Sequence, residues 1–121
     1  MNEMRFFVGL HQPSDAQHFP QCFVSVNRLW KRRSDFAVAD WIMDSGAFTE
    51  LRDYGCYRPE RSVENYAAQI RRWKSCGNLL AACAQDWMCE EIIIEGGMVR
   101  GTRFVGTGLS VEEHQRLTIE R

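Results

Sequence analysis

Two short stretches of this chain set a carboxylate beside small residues and an aromatic, the combination that holding a flat, polar-edged molecule requires. One is Met43-Asp44-Ser45-Gly46-Ala47-Phe48 and the other is Gln85-Asp86-Trp87-Met88-Cys89-Glu90. An ionised aspartate accepts hydrogen bonds from the N–H edge of a heterocycle, and a protonated one can give a proton to a reacting group. Ser45, Gly46 and Ala47 let a ligand approach the backbone closely, and Phe48 offers a flat apolar face. Each stretch follows an apolar run, Trp41-Ile42-Met43 in the first case and Leu79-Leu80-Ala81-Ala82-Cys83-Ala84 in the second. The second run has the composition of a fully covered parallel strand. If both runs are strands of one parallel sheet, Asp44 and Asp86 leave it at the same edge and face one pocket, where α/β enzymes hold catalytic groups. The alternative for the first stretch is plainer: Asp44 and Ser45 cap a following helix while Gly46 makes a turn.

The elements that must position these residues are legible in outline. Residues 5–10 read as a first strand, leading into a loop with His11, Gln12, Pro13 and Ser14, and residues 22–26 as a second. The third is the short Trp41 strand, preceded by a basic loop or irregular helix. Tyr54, Gly55, Tyr57 and Pro59 mark a connection, and Ser62 opens the best helix in the chain. There Val63, Tyr66, Ala67, Ile70 and Trp73 recur at helical spacing, so the stripe is expected to cover a sheet face, and Gly77 suits the left-handed closing position. The Leu79 strand follows, with Asp86 at its end. Gly96 to Gly101 reads as an exposed hairpin tip or insertion. Ser110-Val111-Glu112-Glu113 is a capping box that starts a C-terminal helix.

That order is the grammar of a parallel α/β protein. About four or five strands are visible, whereas a complete (β/α)₈ barrel takes about 250 residues. The expectation is therefore the first half of a TIM-like barrel, parallel strands with covering helices, in one partial domain over residues 1–121. Two raw sheet edges would call for an oligomer or for a second chain that completes the barrel. A small self-contained open sheet is the alternative.

Composition narrows the function classes. With 45% hydrophobic and 26% charged residues the chain has the makings of a packed core. A formal charge of −1 excludes a generally basic nucleic-acid coat, so phosphate contacts must come from local patches. Arg28 with Lys31, Arg32 and Arg33 is one patch and Arg71-Arg72-Trp73-Lys74 is another; both also suit ordinary solvated faces. Five cysteines without a C-x-x-C pair argue against a disulfide framework and against a zinc knuckle. No signal peptide and no stretch near the ~18 apolar residues of a membrane span is present, which implies a reducing, cytoplasmic setting without membrane partners.

With both aspartate stretches in hand, the chain resembles the "deoxypurine in DNA protein A" family of bacterial 7-deazapurine DNA modification, which is similar to the tRNA-guanine transglycosylases. The resemblance extends through Gly9-Leu10-His11-Gln12-Pro13, Ser25-Val26-Asn27-Arg28-Leu29, Tyr66-Ala67, Thr107-Gly108-Leu109-Ser110, His114-Gln115 and Thr118-Ile119-Glu120-Arg121. It implies a base exchange in which guanine in DNA gives way to a 7-deazaguanine such as preQ0 without strand scission; the zinc-binding cysteine and histidine cluster of the tRNA enzymes is missing here, so no metal and no cofactor are expected. Asp44 would then be the catalytic acid or base. Phe48 would stack on the heterocycle, Ser45 and Gly46 would line its slot, and Asp86, helped by Gln85, would take the purine N–H edge. His11, at the first strand end, would touch the ligand; solvation is its plainer fate. Arg28, Lys31, Arg32 and Arg33 would hold the DNA backbone around an extruded base. In the tRNA enzymes the nucleophilic aspartate lies on a late barrel strand, so this chain is expected to match the first half of the fold and to be incomplete as a catalyst by itself.

Two other functions fit the residues. One is a non-catalytic, truncated module that binds purines or DNA. The other, from the carboxylates alone, is a glycoside hydrolase with Asp44 and Asp86 separated by ~5 to 10 Å. His18 and His114 carry no chemistry in this reading, Cys89 has no activating partner, and Trp30, Trp41 and Trp73 are core or groove fillers.

Overall fold

A computed structural model describes residues 7–120. The residues fall into two compact units, Met1–Ser45 with Tyr66–Cys83, and Gly46–Asn65 with Ala84–Arg121.

The first unit is an open sheet of four parallel strands, β1 (Val8–Leu10), β2 (Gln21–Ser25), β3 (Asp40–Asp44) and β4 (Asn78–Ala82), in the order β1-β2-β3-β4. Residues 5 and 6 of the expected first strand lie outside the described residues. Register pairs Cys22 with Trp41 and Val24 with Met43, so strand alternation sends all four side chains to one face, where they are fully buried. Helix α2 (Val63–Trp73) covers that face with Tyr66, Ile70 and Trp73 at i, i+4 and i+7. The β2–β3 connection adds Val26, Leu29 and Phe36, whose ring meets Trp41 edge-on at 5.3 Å. Trp41 is oriented by its indole N–H, which donates to the Cys76 carbonyl at 2.8 Å. Gly77 has φ +52°, and a Cβ there would stand 2.3 Å from the Val38 carbonyl oxygen, so this turn into β4 accepts only glycine without strain.

Two expectations need correction. The apolar run of β4 is not fully covered: Leu80 is 43% exposed and Ala81 is exposed as well. The β3–β4 register shifts, pairing Trp41 with Leu79 and Ile42 with Ala81, so Leu80 is skipped, and β4 is an edge strand among the described residues. Val63, counted in the buried stripe of α2, is exposed, because only the later turns of that helix pack on the sheet core.

The second unit is built from helices and a hairpin. Helix α1 (Ala47–Tyr54), the first turn of α2, helix α3 (Glu91–Glu95), strands β5 (Gly97–Val99) and β6 (Thr102–Phe104), and helix α4 (Val111–Glu120) enclose Leu51, Trp87, Ile93 and Phe104. The antiparallel β5–β6 pair turns at Arg100 and Gly101, as the glycine pattern implied. The capping box closes reciprocally: Ser110 Oγ accepts from the Glu113 amide at 3.1 Å and the Glu113 carboxylate accepts from the Ser110 amide at 3.3 Å. Glu50 is buried beneath Arg58, which donates to it from the backbone amide, Nε and Nη2. No described helix is long and apolar enough to cross a membrane, and all five cysteines are free.

Candidate functional site

A parallel sheet brings all its carboxyl ends to one edge, and here that edge gathers residues distant in sequence. Gly9, Leu10, His11, Phe23, Ser25 and Asp44 line a cavity of about 330 Å³. Its size falls at the lower end of small-molecule clefts, roughly 300–1,000 Å³. Ser25 and Asp44 are register partners on the last rung of the β2–β3 ladder, and His11 follows β1 directly. The lining offers a carboxylate, an imidazole and a hydroxyl above an apolar floor of Leu10 and Phe23. Ser25 Oγ already accepts from the Asn27 amide at 3.1 Å, which fixes it at the rim. A side chain at Gly9 would meet nothing within 4 Å, so glycine keeps this wall open.

Asp44 is exposed. Helix α1 begins from Gly46, which holds the N-cap position with φ 74°, so neither Asp44 nor Ser45 occupies that cap. Ser45 is buried. Within the same unit the Tyr66 hydroxyl donates to the Cys83 carbonyl at 2.7 Å. Burial raises the Tyr66 phenol above its ordinary pKa, and Cys83 and the Asp44 carboxylate add to the rise. Asp44 thus sits within electrostatic reach of a tyrosine that remains a neutral donor.

The second stretch lies in the other unit. Asp86 is four residues beyond the last residue of β4, not at the strand end, because the chain leaves the sheet once the Cys83 amide has bonded to the Met43 carbonyl. Asp86, Trp87, Met88, Cys89 and Glu90 line a hollow of about 550 Å³ with Gln115, Thr118 and Ile119 of α4. The segment is held by its backbone. Tyr57 Oη donates to the Asp86 carbonyl, the Trp87 amide donates to Thr118 Oγ1 at 2.7 Å, and the Met88 carbonyl lies 2.8 Å from His114 Nδ1. A carbonyl only accepts, so His114 carries its proton on Nδ1, and Nε2 accepts from the Thr107 hydroxyl at 2.6 Å. The Asp86 carboxylate has no hydrogen-bond partner among the described residues and is available to a ligand. Gln85 is buried and its Nε2 donates to the Arg61 carbonyl at 2.8 Å.

Phe48 is 47% exposed, with one edge toward Phe104 at 5.8 Å and the Arg52 guanidinium 5.6 Å from its ring centre, so much of the ring remains accessible. Of the four basic residues, Arg28 ends the 3-10 turn Val26–Arg28 that leaves the carboxyl end of β2. Lys31 and Arg33 are exposed, and Arg32 donates to the Ser34 and Asp35 carbonyls.

Sequence reasoning thus named Asp44 and His11, which meet in one cavity, but missed Ser25 and the Tyr66 hydroxyl beside them. It read His114 as structural, and the ring fixes the backbone next to Asp86. The available signal was that Ser25, Tyr66, Thr107 and His114 all belong to the stretches that carry the family resemblance.

Fold and site together define an α/β protein with a polar cavity at the carboxyl ends of parallel strands. The whole chain, residues 1–121, matches the family described as DeoxyPurine in DNA protein A, or DpdA. The chain belongs to that family, which links it to deazapurine modification of DNA. No curated protein and no solved structure matches the chain.

Proposed function

We propose that this chain handles the bases in a transglycosylase-type exchange that replaces guanine in DNA by a 7-deazaguanine of the preQ0 type. The observation that carries the reading is the convergence of His11, Ser25 and Asp44 on one small-molecule cavity at the carboxyl ends of β1, β2 and β3. Family membership supplies the polymer and the class of base.

The chemistry is a double displacement. A nucleophilic carboxylate bonds to the sugar C1′ as the bond to guanine N9 breaks, and Asp44 in its acid form gives the departing guanine a proton. The resulting carboxylate takes the N9 proton from the incoming deazaguanine, whose N9 then bonds to C1′ as the nucleophile leaves. Phe48 stacks on the heterocycle, Ser45 and Gly46 line the slot, and His11 contacts the ring edge. Asp86 accepts from the purine N–H edge, with Gln85 behind it. In this reading the sheet is the first half of a (β/α)₈ barrel. The sequential order β1-β2-β3-β4 and the outer edge of β4, unpaired among the described residues, support the barrel reading. The second half, with the nucleophile, comes from a partner chain or a further segment.

The test is release of labelled guanine from DNA when preQ0 is supplied to the complete assembly. Asp44→Ala is expected to abolish release, and unchanged release by that variant removes the role. The open sheet favours a second reading, a purine- or DNA-binding module without catalysis. It predicts preQ0 or guanine binding with no guanine release in any assembly.

A further inference from the structure

The two basic stretches of the sequence, some forty residues apart, are one surface in the fold. Arg72, near the carboxyl end of α2, reaches the β2–β3 connection. Its Nη2 donates to the Arg33 carbonyl at 2.7 Å and its Nη1 pairs with Asp35 at 2.8 Å. The guanidinium also lies over the Trp73 ring at 4.0 Å. On the other side of this clamp Arg32 holds the turn by donating to the Ser34 and Asp35 carbonyls and lies 5.6 Å from the Phe36 ring centre. The turn that carries Lys31, Arg32 and Arg33 is therefore fixed against Arg72.

The two segments that Arg72 joins, residues 31–35 and 71–72, carry five cations and one carboxylate, Asp35, in a chain whose formal charge is −1. The side chains of Lys31, Arg33 and Arg71 are exposed and make no hydrogen bond or ion pair among the described residues. Basic residues at the end of α2 complement the negative end of its dipole, which accounts for Arg71 and Arg72. It does not account for Lys31 and Arg33, which Arg72 brings alongside. The surface lies where α2 turns through Gly77 into the amino end of β4, whereas the Asp44 cavity opens at the carboxyl ends.

We propose that this fixed turn and the end of α2 form a docking surface for the phosphodiester backbone of a polynucleotide, separate from the base cavity. Its choice of partner rests on the proposed DNA reading. Unpaired, exposed cations on a rigid support bind phosphates with little ordering cost and release counterions as they do so. Of the four cations the sequence assigned to DNA, Lys31, Arg32 and Arg33 then serve this remote surface and Arg28 serves the catalytic edge.

The experiment is fluorescence anisotropy of a labelled DNA duplex titrated with the full chain over a range of salt concentrations. It compares wild type with a Lys31→Glu, Arg33→Glu, Arg71→Glu variant, whose changed side chains make none of the described bonds. The variant is expected to bind at least about tenfold more weakly at low salt, with a log–log salt slope reduced by about 0.9 for each phosphate that it no longer neutralises. Unchanged affinity and slope overturn the proposal, as does competition by poly-L-glutamate that equals competition by DNA at matched charge. Calorimetry with guanine keeps the two readings apart. If the variant loses the duplex while wild type binds no purine, the surface stands and the base-exchange reading falls. If purine binds and the variant keeps its duplex affinity, the reverse holds.

Discussion

Ser25 and Asp44 face each other across the last rung of the β2–β3 ladder, and both open into the cavity that His11 completes. Parallel pairing alone produces this meeting of residues 11, 25 and 44. Each sits at or just past the carboxyl end of its strand, so the sheet itself assembles the site.

Tyr66 makes alkaline stability a test of the surroundings of Asp44. Its phenol is raised above the ordinary value of 10 by burial, then by Cys83 and Asp44. An acid with a raised folded pKa keeps its proton while the unfolded chain loses one, so stability is intact below pH 10 and falls as pH rises beyond it. Wild type should lose stability above pH 10 in urea melts, and Tyr66→Phe should flatten that part of the dependence. An equal decline in both proteins would place Tyr66 in a different environment.

Glu50, buried in the second unit, pairs with Arg58 at 2.6 Å. Removing the cation leaves a buried carboxylate with its main partner gone, so Arg58→Ala should cost roughly 3 kcal/mol, read from denaturant midpoints. Glu50→Gln, which keeps an acceptor oxygen for Arg58 and removes the charge, should cost less.

The His114 ring holds the Met88 carbonyl and takes the Thr107 hydroxyl as its donor. Thr107→Val leaves a buried ring nitrogen without that donor and should cost about 1–3 kcal/mol. Nitrogen-15 spectra of labelled His114 should show the proton on Nδ1 in wild type. A proton on Nε2 would contradict the network.

The strands, α2, the hairpin tip and the capping box of α4 were legible because each is written locally, in alternation, helical spacing or turn residues. The exposure of β4 was not. Leu79-Leu80-Ala81-Ala82 reads as a covered strand, yet cover depends on what lies beyond it, which no local pattern records. Asp44 and His11 could be named because strand ends are marked by breaks in apolar runs. The role of Ser25 required the register, and the role of His114 required knowing that Met88 would lie beside it. The joining of Arg33 to Arg72 was equally hidden, since the sequence holds the two patches apart and only the fold shortens the distance.

Gly77→Ala tests the packing that turns α2 into β4. At φ +52° with a carbonyl oxygen 2.3 Å from the added Cβ, the substitution should destabilise the chain by at least about 1–2 kcal/mol. A midpoint equal to wild type would show that the turn adopts another path.

The central claim of the proposed reading is that the Asp44 cavity holds a purine-type base. Isothermal titration calorimetry of guanine and preQ0 against wild type, Asp44→Ala and Asp44→Asn tests it most directly. The account predicts binding by wild type and a loss of about tenfold or more in each variant, the scale of one charge-assisted hydrogen bond. Undiminished affinity in both variants, or no binding of either base by wild type, would contradict it.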